Sequence, residues 1–143
     1  MKLVLATLLA IFLPDIAAAA DVYRYQGAPL PPDQESVITV QPKECRYMAC
    51  RTVKFLKIDG MKTGLIGTAF KELHLKPGKH KFDLFVPYGT WQVDDSLWLV
   101  TQPGQTYVLH HTGSSKEPFN FWFEDASGSR VGGKSGSLDE PEI

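Results

Sequence analysis

The chain has 143 residues, a formal net charge of -1, 43% hydrophobic and 11% aromatic residues. That length and apolar content suit one domain with a real core. The near-neutral charge, with Lys and Arg scattered, excludes an electrostatic footprint for nucleic acid.

The chain opens M-K-L-V-L-A-T-L-L-A-I-F-L-P-D-I-A-A-A-A-D. Lys2 supplies a basic start, Leu3 to Leu13 an apolar run, and Ala18-Ala19-Ala20 an A-x-A cleavage site before Asp21. This is the pattern of a secretory signal peptide over 1–20. The run is too short to span a bilayer, which needs about 20 apolar residues. The mature form is therefore expected without a transmembrane anchor. No cysteine follows the run to carry a lipid, and the expected location is periplasmic or secreted.

Residues 21–36 contain Pro29, Pro31 and Pro32. They read as an extended lead-in that cannot join a central ladder. A sandwich domain is expected over 37–125. Val37 to Val40 is its first strand, rich in β-branched residues. Then comes E-C-R-Y-M-A-C-R, holding Cys45 and Cys50, the only cysteines in the chain. The spacing is not the C-x-x-C of redox centres, and a zinc site would need two more ligands. In an exported domain two thiols pair, so Cys45 and Cys50 are expected to form a disulfide. Its short loop gives only about 2 kcal/mol in the chain-entropy model.

Thr52 to Ile58 reads as a second strand, stopped by Asp59-Gly60. The Gly-containing stretch Met61 to Gly67 fits no element. Leu73 and Leu75 then alternate with polar residues, Pro77-Gly78 turns the chain, and Phe82, Leu84 and Val86 alternate again. This pattern predicts a hairpin with one buried face. It also places His80 on the buried side and His74 in solvent. The motif returns at Leu97 to Val100, Pro103-Gly104 and Tyr107 to Leu109. Phe119 to Phe123 is the last strand. The Gly/Ser-rich segment 126–143 reads as a flexible tail. About seven short strands with turn signals between them predict an all-β chain. The expected fold is a single antiparallel β-sandwich of Ig-like or transthyretin-like type.

No catalytic constellation is found. No G-x-S-x-G is present. Asp94-Asp95 read as a solvated acidic turn and Glu124-Asp125 as a strand end. His110 and His111 are adjacent and point to opposite faces of a strand. No catalytic residue, metal ligand or cofactor is assigned. Aromatic platforms are a different matter. Trp91, in the loop Tyr88-Gly89-Thr90-Trp91, and Trp122 are the candidate binding residues, since aromatics offer flat apolar surfaces.

Tyr25-x-Gly27-x-x-Leu30-Pro31, Ile58-Asp59-Gly60, Leu75-x-Pro77-Gly78-x-His80, Pro103-Gly104-x-x-Tyr107-x-Leu109 and Glu124-Asp125-x-x-Gly128 form a further set. Together they resemble a broad set of small bacterial cell-envelope proteins. The Asp-Gly to His80 half is similar to PEGA-like and transthyretin-like sandwich modules. The resemblance implies an envelope β-sandwich and carries over no catalytic residue. Many of those proteins have a lipid-attachment cysteine that this chain lacks. The expected function is a non-enzymatic binding or assembly module with an envelope protein partner. The alternatives are a small-ligand or carbohydrate binder using exposed aromatics, and a hydrolase acting on envelope polymers.

Overall fold

A computed structural model describes residues 22–41, 44–46, 49–88, 91–114 and 117–142. For 44–46, 49–51, 88, 91–93, 113–114 and 117–118 it describes the backbone alone. The expected signal peptide lies outside these residues.

Among the described residues the regular structure is all strand. β1 is Val22–Arg24, β2 Ser36–Val40, β3 Glu44–Arg46, β4 Ala49–Arg51, β5 Lys54–Ile58, β6 Met61–Lys62 and β7 Glu72–Leu75. Four long strands follow: β8 Gly78–Tyr88, β9 Trp91–Thr101, β10 Thr106–Ser114 and β11 Glu117–Glu124. β12 Arg130–Val131 and β13 Gly133–Lys134 complete the set. A six-stranded sheet in the order β1-β7-β2-β10-β11-β12 packs on a five-stranded sheet in the order β13-β9-β8-β5-β6. β3 and β4 form a separate two-stranded ribbon. The β-sandwich expected from the sequence is the fold. Most ladders are antiparallel, but β1 runs parallel to β7 and β2 parallel to β10.

Strand alternation builds the core. Ile38, Phe55, Leu73, Leu75, Phe82, Leu84, Leu97, Leu99, Tyr107, Leu109, Phe121 and Phe123 are buried between the sheets. Phe82 ties the two layers together. Its ring lies 6.2 Å from Phe55 within its own sheet and 5.3 Å from Phe123 of the other.

The expected hairpin at Pro77-Gly78 is not one. β7 belongs to the six-stranded sheet and β8 to the other, so the turn is an arch that crosses the sandwich. Pro103-Gly104 does the same between β9 and β10. An arch and a hairpin bury the same alternate residues, because both strands of an arch point their apolar faces into the space between sheets. The Lys76 carbonyl, which precedes the arch, accepts from His80 Nε2 at 2.6 Å. The paired neighbours are β8 with β9 and β10 with β11. Asp59-Gly60, with φ of 51° and 80°, makes the two-residue type I′ turn between β5 and β6.

The prolines of the lead-in, Pro29, Pro31 and Pro32, lie outside the strands, and its β1 sits at the sheet edge. Two further expectations are corrected. Asp94 and Asp95 lie inside β9 and not in a turn. The segment read as a flexible tail is paired: Val131 and Arg130 oppose Phe123 and Glu124 of β11, and Gly133 and Lys134 oppose Trp98 and Leu97 of β9. It forms a strap from one sheet to the other. At its bend Gly132 has φ of 71°, and a Cβ there would collide with the Trp98 carbonyl oxygen. The rest of the tail returns over β8 and β9. Trp98 Nε1 donates to Ser137 Oγ at 3.3 Å, and Lys79 pairs with Glu140 at 2.9 Å. The outer-face indole of Trp98 is thus covered by the tail.

Candidate functional site

The strap covers only part of the side of the sandwich. It pairs with two residues of β11 and two of β9, and the Ser135 N–H adds a bond to the Ser96 carbonyl at 2.8 Å. Towards the ends where β8 passes into β9 and β10 into β11, β11 over 117–122 has no second neighbour among the described residues. The same holds for β9 over 91–95. Unpaired backbone N–H and C=O groups along a sheet edge are a template for another strand.

Side chains give this edge a defined shape. A cleft of about 210 Å³ opens between the strap and the two edge strands. Phe121 and Leu97 are buried at its base, Asn120 is exposed, and Arg130 and Lys134 flank it. Lys134 Nζ sits 3.4 Å from Asp95 Oδ2, while Arg130 has no ion-pair partner among the described residues. The mouth therefore carries two cations, with Asp95 against Lys134 and Glu124 opposite Arg130 in the ladder, and the floor is apolar.

Trp122 stands beside this cleft, but not as an open platform. His110, opposite it on β10, stacks at 5.3 Å with the ring planes 12° apart. The Arg130 guanidinium lies 4.3 Å from the ring centre. These two come from the strands on opposite sides of β11, so both faces of the indole are occupied. Glu124 links the cluster, accepting from Trp122 Nε1 at 2.8 Å and lying 3.1 Å from His110 Nε2. What reads in the sequence as a binding aromatic is the centre of a stacked triplet that fixes Arg130 at the cleft. Trp91 is the first residue of β9, opposite Tyr88, and not a loop residue. Its side chain, like those of Cys45 and Cys50, lies outside the described residues. The backbone does place Cys45 directly opposite Cys50 in the β3–β4 ladder.

The remaining polar groups fall into separate sets. His80 keeps the expected core-facing position. Asp59 Oδ2 lies 2.7 Å from its Nδ1, and the Lys76 carbonyl binds its Nε2. Both partners are acceptors, so both ring nitrogens donate, which is the imidazolium form. Burial acts to lower the His80 pKa, but its hydrogen bonds to the Asp59 carboxylate and the Lys76 carbonyl, with the Asp59 charge, outweigh it and raise it. Burial likewise opposes ionisation of Asp59. The bonds from His80 and from the Lys81 N–H, with the His80 charge, prevail and lower its pKa. This pair pins the β5–β6 turn to the arch.

His74 is not the solvent residue expected from parity. It is bracketed by Glu35, at 2.7 Å from Nδ1, and by Glu72 at Nε2, with its side chain only 13% exposed. β1 packs beside it at the edge, which strand parity alone does not show. His111 is buried against Phe121. The four histidines thus have four different sets of partners. Among the described residues no cluster of three or more His, Cys, Asp or Glu is arranged around a common point for a metal. Asp83 and Asp95 hold Ser96 by its hydroxyl and its N–H respectively, and Asp125 caps the turn at Ser127 and Ser129. These carboxylates have structural work.

Comparison with protein-family models, curated proteins and solved structures finds no match for this chain.

Proposed function

We propose that this protein is an exported, non-enzymatic β-sandwich module that binds an extended segment of an envelope protein at the β11 edge. The observation that carries the reading is the edge of β11 over 117–122, left open beside an apolar cleft with Arg130 and Lys134 at its mouth. Strand addition supplies main-chain hydrogen bonds, and pockets for alternate side chains supply specificity. The segment that fits has an apolar side chain for the Phe121–Leu97 floor and acidic neighbours for the two cations. The signal-peptide pattern supports an envelope or extracellular location for the encounter. The carbohydrate-binder alternative is less well supported, because His110 and Arg130 occupy the faces that a sugar ring would need.

Site-specific photo-crosslinking tests this. A photoreactive residue is placed at exposed Asn120, and a control at exposed Met61 on the opposite side of the sandwich. In live cells, position 120 should yield a discrete protein adduct that Arg130→Glu diminishes, and position 61 should not yield it. No adduct at 120, or the same adduct from both positions, would overturn the edge reading.

A further inference from the structure

The opposite side of the sandwich carries a different kind of surface. From the start of β6 towards β7 the chain reads M-K-T-G-L-I-G, from Met61 to Gly67. Leu65 is 105% exposed, Ile66 70% and Met61 48%. Two adjacent large aliphatic side chains exposed to water are costly, because each removed from water gains the equivalent of about tenfold or more in an equilibrium constant. The loop does not collapse to hide them, since its base is fixed. Thr68 exchanges both backbone hydrogen bonds with Phe55, at 2.9 and 3.0 Å. Thr63 N–H donates to the Leu56 carbonyl at 3.2 Å, and its hydroxyl donates to the Phe55 carbonyl. Thr68 Oγ1 closes the ring by donating to the Thr63 carbonyl at 2.7 Å.

Lysines outnumber carboxylates in the strand row next to this loop, Lys62 and Lys57 with Asp83 of β8 opposite Lys57. Lys57 and Lys62 lie directly opposite one another in the β5–β6 ladder. Like charges at facing positions of a ladder repel. Neither lysine has an ion-pair partner among the described residues. Asp83 is engaged by the Ser96 hydroxyl, and an anion outside the protein would relieve the repulsion further.

We propose that the Leu65–Ile66 tip docks on an anionic lipid surface, the two side chains entering the acyl boundary and Lys57 and Lys62 meeting the headgroups. Leu65 stands fully exposed at the tip, which suits a deformable bilayer. Lysine stems lie along apolar surface while their ammonium groups stay in water, and anionic headgroups attract them. The inference does not depend on strand docking at β11. It leaves that edge facing away from the membrane.

Co-sedimentation of the full mature chain with vesicles provides the test. Vesicles of equal parts phosphatidylglycerol and phosphatidylcholine should retain it, and phosphatidylcholine alone should retain it far less. The L65S/I66S variant should bind the mixed vesicles about a hundredfold more weakly, from about tenfold per buried aliphatic side chain. K57Q/K62Q should bind them about tenfold or more weakly, as expected for two lysines at an anionic surface. All four positions lie outside the core, and melting midpoints close to that of the parent would show that the variants fold. Failure of the parent chain to bind the mixed vesicles would overturn the proposal. So would binding by L65S/I66S within about twofold of the parent, since burial of two aliphatics predicts far more. Equal binding to both vesicle types would also overturn it. A self-association that L65S/I66S abolishes, without vesicle binding, would assign the tip to a second copy instead.

Discussion

Replacing Phe82 by alanine tests the architecture at its centre. Phe82 is fully buried, and its ring contacts Phe55 in its own sheet and Phe123 across the sandwich. Truncation leaves a ring-sized cavity where two sheets meet, and neither can move in without breaking long ladders. Phe→Ala at such a site costs about 3–5 kcal/mol. In a domain of this size each kcal/mol lowers the melting midpoint by about 4 °C, so the expected drop is about 12–20 °C. That is a large share of a typical stability of about 5–15 kcal/mol. The neighbouring Lys81 is exposed and contributes its backbone, not its side chain, to Asp59. Lys81→Ala should change stability by no more than about 0.5 kcal/mol, and so the midpoint by about 2 °C. Thermal melts of the mature protein followed by far-UV dichroism measure both. Equal shifts, or a larger one for Lys81→Ala, would refute the assignment of β8's inward face and with it the core-facing position of His80.

Two more outcomes are expected. The Asp59–His80 pair gives stability a pH window: the His80 pKa is raised, so its contribution is complete below about 6.5 and is lost as pH rises through the folded value; the Asp59 pKa is lowered, so its contribution is complete above about 4 and is lost as pH falls through the folded value. The midpoint difference between the parent and His80→Gln should therefore be greatest between about pH 4 and 6.5, and a difference constant from acid to alkaline pH would remove the ion pair from the account. Cys45 and Cys50 should be oxidised in exported protein, because directly opposed residues of an antiparallel ladder have Cα atoms about 4.5–5.5 Å apart, inside the range a disulfide spans. Alkylation without reductant, read by mass spectrometry, should leave both unmodified; two labelled thiols would show that the β3–β4 register is not cross-linked.

The sequence by itself determined which residues are inside. Leu73, Leu75, Phe82, Leu84, Leu97, Leu99, Tyr107 and Leu109 follow a period of two, and all are buried. Alternation is a local property of the pleated backbone, so it survives in a single chain read in isolation. It does not say which sheet a strand joins. The two Pro-Gly turns read as hairpins and are arches, because facing sheets and paired strands impose the same alternation on a sequence. The partition between sheets is set by ladders between distant residues, such as Ile38 with Tyr107, which leave no local mark.

The candidate site was still less legible. The strap Arg130 to Lys134 binds its neighbours through backbone groups that every residue carries, so its Gly/Ser composition reads as a tail. Trp122 stood out as an aromatic. That His110 and Arg130 enclose it follows only from the strand order β10-β11-β12. Leu65 and Ile66 look in sequence like any short apolar pair. Their exposure is decided by the Thr63 and Thr68 hydrogen bonds that hold the loop away from the core. Burial is written residue by residue, but an open edge or a presented tip is defined by what the rest of the chain leaves uncovered, and that exists only once the sheets have formed.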